Sequence, residues 1–180
     1  MLLAQIGSIV GYATYPSALE NIKAEWLLSN FQSGLIASAF FFGYIAIVPL
    51  ATTLTDRMDA RRVYMLGATT STIGLLGVGL WATGFYSAIA CLILVGAGVS
   101  ATYMPGLKIL SDRVKQGELT RHISFYTAFF GVGTALSYFS SGLVIQFYGW
   151  RSAFLLMSVG PLISFLIVYF ALDALPEEKG

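Results

Sequence analysis

Six apolar runs divide this chain of 180 residues, and five of them are longer than twenty residues. They cover about 1–15, 31–54, 63–83, 88–110, 122–147 and 152–172. A helix needs roughly 20 apolar residues to cross a hydrocarbon core about 30 Å thick. Lipid satisfies no open backbone group, so a spanning segment must be a helix or part of a closed barrel. These runs are too long for barrel strands, which need about 10 residues. The pattern therefore predicts an all-α membrane protein, a six-transmembrane-helix up-and-down bundle. The first run is short for a span. Composition points the same way: 57% hydrophobic residues are more than a soluble domain of this size can hide.

The punctuation between the runs fits helices. Ser29 and Asn30 are N-cap residue types directly before the second run. Thr83-Gly84 interrupts the chain between the third and fourth runs, and Tyr148-Gly149 between the fifth and sixth. Pro176 stops whatever helix continues past Ala171-Leu172. Short gaps make neighbouring helices antiparallel, and no linker divides the chain. The expected organisation is one bundle over residues 1–175, with 176–180 starting a cytoplasmic linker. The first segment, MLLAQIGSIVGYATYPSAL, carries no basic n-region and does not read as a cleaved signal peptide.

The few charges sort by gap. Arg57, Arg61, Arg62, Lys108, Arg113, Lys115, Arg121 and Lys179 fall on one side, against Lys23 and Arg151 on the other. A bias of eight to two over short loops puts the first group, and both ends of the chain, in the cytoplasm. Glu20 and Glu25 fall in the outer loop, and the other acids fall at cytoplasmic ends. A mid-span carboxylate would mark a proton relay or cation site, and none is present. Net charge is +1, which gives nucleic acid no handle. The single cysteine, Cys91, and single histidine, His122, build neither a disulfide framework nor a metal-ligand cluster. No metal and no cofactor is expected.

Most of the charge between the second and third runs is packed into TDRMDARR, Thr55 to Arg62. With the residues before it, this stretch resembles the cytoplasmic signature of the major facilitator superfamily, G-x-L-x-D-R-x-G-R-R/K. Leu54, Asp56, Arg57 and Arg61 match, while Thr52, Asp59 and Ala60 depart from it. GLIASAFFFGYIAIVPL, from Gly34, resembles the family's second helix. GAGVSATYMPGLKILSD, from Gly96, resembles the fourth, with its late Pro105, and GWRSAF, from Gly149, resembles the entry to the sixth. The resemblance covers nearly the whole chain. It implies twelve helices in two six-helix halves, with substrate bound between them. This chain would be the N-terminal half, a fragment or excised half awaiting a missing C-terminal six-helix partner. The implied function is secondary active or facilitative transport of a small solute by alternating access. The implied location is a lipid bilayer, the bacterial inner (plasma) membrane.

The candidate residues follow. Arg57, Arg61 and Arg62 anchor topology by charge alone. The resemblance adds a cytoplasmic gate. Asp56 would face a helix N-terminus of the other half, and a loop arginine would pair with Asp112. The family's first and fourth helices line its central path, with the second and fifth beside them. Path candidates are Gln5, Tyr12 and Tyr15 in the first run, Tyr44 in the second, Tyr103 in the fourth, and Tyr126 and Tyr138 in the fifth. Each tyrosine is equally suited to an interfacial belt or an interhelical hydrogen bond. Lys108 lies one turn before Asp112. It reads either as a lysine snorkelling to the surface or as a cation at the inner mouth that attracts an anionic solute. Span glycines, including the Gly7/Gly11 pair, read as close-approach points between helices. The family's antiporter signature G-x-x-x-G-P-x-x-G-G is not met, because Ser137, Tyr138 and Ser141 stand where Gly, Pro and Gly would be.

Two other function classes make their own demands on the sequence. An intramembrane serine protease needs a histidine inside a span, within reach of a serine in a glycine-rich turn. His122 sits instead beside Arg121 at a helix end, so an enzyme is not expected. A non-transporting sensor or partner protein on the same half fold stays open.

Overall fold

The computed structural model describes residues 1–172. The expected linker at 176–180, and residues 173–175 of the expected bundle, lie outside the described residues. Eight α-helices follow in order: α1 (Leu2–Ile9), α2 (Thr14–Glu25), α3 (Asn30–Arg57), α4 (Ala60–Leu80), α5 (Phe85–Ser111), α6 (Leu119–Tyr148), α7 (Trp150–Met157) and α8 (Val159–Ala171). A 3₁₀ turn at Gln116–Glu118 leads into α6. Four single helices, α3 to α6, are long and apolar enough to cross a membrane, and so is the nearly continuous pair α7–α8.

The first unit differs from the expected short run at 1–15. It continues as a broken helix to Glu25, turning at residues 10–13. Pro16 explains the break. Inside a continuous helix its ring would meet the carbonyl of Tyr12, and it has no N–H to give. The chain turns instead and restarts at Thr14, which puts Pro16 in the first turn of α2, where a missing N–H costs little. The polar run SALENIKAE hides α2 from a count of apolar residues. Glu20, Lys23 and Glu25 therefore lie on a helix and not in a loop.

The other boundaries have local causes. Ser29 caps α3 with a reciprocal box. Its hydroxyl accepts from the Gln32 N–H at 3.2 Å, and its own N–H donates to Gln32 Oε1 at 2.9 Å. Gly149 ends α6 at φ +82°, the left-handed region that favours glycine, and the chain turns straight into α7.

Packing depends on close helix approach. A Cβ added at Gly43 would meet the carbonyl of Ile93, and one at Gly96 would meet the carbonyl of Phe40. So α3 and α5 touch backbone to backbone. Gly67, Gly74 and Gly98 do the same between α4 and α5. Gly7 of α1 lies against Gly160 and Ser164 of α8. Burial is uneven. In their most apolar windows, α4 is 56% buried, while α3 is 28% and α6 only 17% buried. Gly34 in α3, and Gly131 and Gly142 in α6, have nothing against them.

One cluster ties α2 to the C-terminal end of α4 and the start of α7. Glu25 ends α2, and its carboxylate accepts from Trp150 Nε1 at 2.6 Å and from Arg151 Nη2 at 3.3 Å. Arg151 Nη1 donates to the Ala82 carbonyl just past α4 at 3.0 Å. The guanidinium also lies 4.4 Å from the Trp150 ring centroid. Trp26 meets Trp150 edge-on at 5.4 Å.

Two outcomes are expected from thermal melting in detergent. Gly96→Val should lower stability by about 1–3 kcal/mol or more, because backbone faces it and cannot yield as a side chain would. Glu25→Gln should lower it by about 1–2 kcal/mol, and the loss should shrink at high salt because the pair is half exposed.

Candidate functional site

The expected gate residues Asp56, Arg57, Arg61 and Arg62 sit together where α3 ends and α4 begins. Asp59 stands where the family pattern has glycine, yet its backbone (φ −53°, ψ 121°) needs none. Its carboxylate caps α4 by accepting from the Arg61 N–H at 2.9 Å. Asp56 and Arg57 are exposed in the last turn of α3, and Arg62 is exposed in the first turn of α4.

The expected arginine–Asp112 pair is not formed. Among the described residues no ion pair joins Arg57, Arg61 or Arg62 to Asp112. Arg61 Nη2 donates instead to the carbonyls of Val168 and Tyr169, at 3.3 and 3.2 Å. The reason lies in α8. Its last carbonyls have no partner within the helix and carry the negative end of its dipole. Arg61 is the cation within reach. Asp112 pairs with Lys108 one turn back, Nζ to carboxylate 3.8 Å.

The path candidates separate into two groups. Tyr12, Tyr44, Tyr103 and Tyr126 are brought into one tract of rings. Tyr44 stacks on Phe40 within α3 at 6.5 Å between centroids, and Phe40 meets Tyr12 edge-on at 5.2 Å. Tyr12 meets Phe130 of α6 at 5.9 Å, Phe130 meets Tyr103 of α5 at 5.6 Å, and Tyr103 lies 5.6 Å from Tyr126. Six rings from four parts of the chain thus run in contact. Such pairs contribute about 0.5–1.5 kcal/mol each beyond their buried area. Tyr126 is fully buried and donates its hydroxyl hydrogen bond to the Tyr103 carbonyl at 3.2 Å. Gly106 makes room for that hydroxyl, since a Cβ there would collide with it. Tyr12, Tyr44, Tyr103 and Phe130 remain partly exposed.

The remaining candidates lie outside the ring contacts. Tyr15 is buried and ties α2 to α3 by donating to the Ser33 carbonyl at 3.0 Å. Tyr138 is half exposed. Gln5 is fully buried, and neither amide atom has a hydrogen-bond partner among the described residues. Gly7 of α1 and Val10 just past its end face α8, while Ile6 and Ile9 face α6. At 100° per residue, Gln5 and Ser8 point away from both of these faces.

Phe40 and Phe130 complete the tract and were not singled out from the sequence. A signal for them existed: each lies four residues from a candidate tyrosine, Tyr44 and Tyr126, on one helix face. The tract holds hydroxyls and ring faces but no charged side chain. It can stack, cup and hydrogen-bond a solute. It has no group suited to acid–base or nucleophilic chemistry at neutral pH.

Comparison with known sequences places these features. The family model described as Major Facilitator Superfamily matches residues 1–180. A probable sphingolipid transporter, spinster homolog 1 of Arabidopsis thaliana, is 26% identical over 91% of this chain and 33% of its own length. Multidrug resistance protein Stp of Mycobacterium tuberculosis is 26% identical over 89% of this chain and 30% of its own. The voltage-gated purine nucleotide uniporter SLC17A9 of Rattus norvegicus is 30% identical over 92% of this chain and 37% of its own. The chain thus spans about a third of the length of the curated relatives it matches.

One outcome tests the Arg61 contacts with α8. Arg61→Met should cost about 1–2 kcal/mol in thermal melts, by reopening carbonyls that end α8. Arg57→Met and Arg62→Met, both at exposed positions, should change stability by less than about 0.5 kcal/mol.

Proposed function

The chain belongs to the Major Facilitator Superfamily, and from that premise we propose that it is the N-terminal half of a transporter that moves a small solute by alternating access. The observation that carries this reading is the six-ring tract. It crosses from α3 to α6 through the broken first span, and it leaves four rings partly open. The thinly buried faces of α3 and α6, with Gly34, Gly131 and Gly142 uncovered, support a second half packed against them.

The lining favours an amphipathic solute with a flat or hydrocarbon body. Rings and hydroxyls offer area and hydrogen bonds, and Lys108 is engaged by Asp112. Of the relatives' named activities, sphingolipid transport fits such a lining. A purine nucleotide would need cations for its phosphates, and the tract has none.

Asp56 serves as half of the cytoplasmic gate in this reading. An anion in the last turn of its own helix faces the unfavourable end of that dipole. A helix N-terminus of the second half would reverse the sign, which suits a latch that forms and breaks in each cycle.

Uptake by the full-length protein in proteoliposomes tests the tract. With a sphingoid base as solute, Tyr12→Ala or Tyr103→Ala should raise KM by about two- to tenfold, the size of one lost ring contact. Uptake of the sphingoid base at unchanged KM in both variants would overturn the lining. Asp56→Asn should shift the inward/outward population measured by spin-label distances across the cytoplasmic face. An unmoved population with unchanged uptake would remove the gate.

A further inference from the structure

The turn at Val10–Ala13 interrupts a helix inside the bundle, with Gly11 and Ala13 buried. Among the backbone groups that lose their helical partners there are the Ala13 N–H and the Val10 carbonyl. In a continuous helix the Ala13 N–H would bond the Ile9 carbonyl, but that carbonyl is taken by the Tyr12 N–H at 2.8 Å. The Val10 carbonyl would accept from the Thr14 N–H, which turns instead to Gly11 at 3.4 Å. An unpaired backbone group in such a place is costly.

Both groups are met by one side chain. Ser137 of α6 is fully buried, and its Oγ accepts from the Ala13 N–H at 2.9 Å. The same hydroxyl donates to the Val10 carbonyl. A serine hydroxyl carries one donor and two lone pairs, so both bonds form at once. One turn further along α6, Ser141 Oγ lies 3.1 Å from Thr14 Oγ1. Glycine or proline at 137 could do neither job.

Tyr12 lies between the two groups that Ser137 holds, and it is the ring that joins α3 to α6. Phe130, its contact on α6, is seven residues before Ser137, two turns along the same face. A single helix therefore holds Tyr12 in two ways, by bridging the backbone on either side of it, at Val10 and Ala13, through Ser137, and by meeting its ring through Phe130. We propose that Ser137 is a positioning residue whose hydroxyl splints the broken first span and so sets the orientation of Tyr12 in the ring tract. Its bearing on solute rests on the transport reading above, whereas its effect on Tyr12 does not.

The test uses the full-length protein in lipid nanodiscs, labelled with 3-fluorotyrosine. The ¹⁹F signal of Tyr12 is identified by its loss in Tyr12→Phe. Ser137→Ala and Ser137→Cys should both shift and broaden that signal and leave the exposed, distant Tyr86 and Tyr169 signals in place. The cysteine keeps the volume but not a competent hydroxyl, so it carries the test if the alanine variant fails to fold. A Tyr12 signal unmoved in both variants overturns the proposal. A shift in Ser137→Ala alone assigns the effect to lost volume and overturns it too. A shift in both, with uptake kinetics unchanged, upholds the splint and counts against the tract as solute path.

Discussion

Everything in this fold follows from the rule that backbone polar groups at membrane depth must find partners inside the protein. Long helices satisfy it without help. Close approach between them then needs small residues, and Gly43, Gly67, Gly74, Gly96 and Gly98 supply it for the α3, α4 and α5 layer. The rule is strained at one described turn in the first unit, where Pro16 forbids continuity. A neighbouring helix answers with a hydroxyl. The same demand shapes the opposite end of the bundle, where α8 ends with orphan carbonyls and Arg61 turns toward them instead of toward an acid. Asp59 answers the matching need at the start of α4.

Hydropathy alone made the membrane class and five of the helical units legible, because lipid imposes length and composition together. The first unit was not legible as a whole. Its second part, α2, is polar and amphipathic, so no apolar count reaches Glu25. Pro16 carried the missing information, since a proline both forbids a continuous helix and suits a first turn. Within the candidate site, four of the seven tyrosine and glutamine candidates meet in one tract, because tyrosines on facing spans tend to find one another. Phe40 and Phe130 escaped notice because a phenylalanine in an apolar run looks like any other lipid-facing residue. Only their spacing from Tyr44 and Tyr126 marks them.

The serines of α6 show a different limit. Ser137 and Ser141 registered in the sequence as departures from a glycine–proline pattern, an absence of something. In three dimensions they are a presence: hydroxyls aimed at the first span. A linear pattern cannot say which backbone a serine meets across a bundle. The expected Arg–Asp112 pair failed for a related reason. Pairing by charge sign ignores helix ends, and a row of unpaired carbonyls competes well with a carboxylate already held by its own lysine.

The cluster of Glu25, Trp150 and Arg151 has a mechanical consequence. It ties α2 and α7 to the end of α4, while the break in the first unit lies at residues 10–13. A lever clamped at its tip and notched in the middle bends at the notch. A bend of the first unit would therefore fall at residues 10–13, the turn whose backbone the Ser137 hydroxyl bridges.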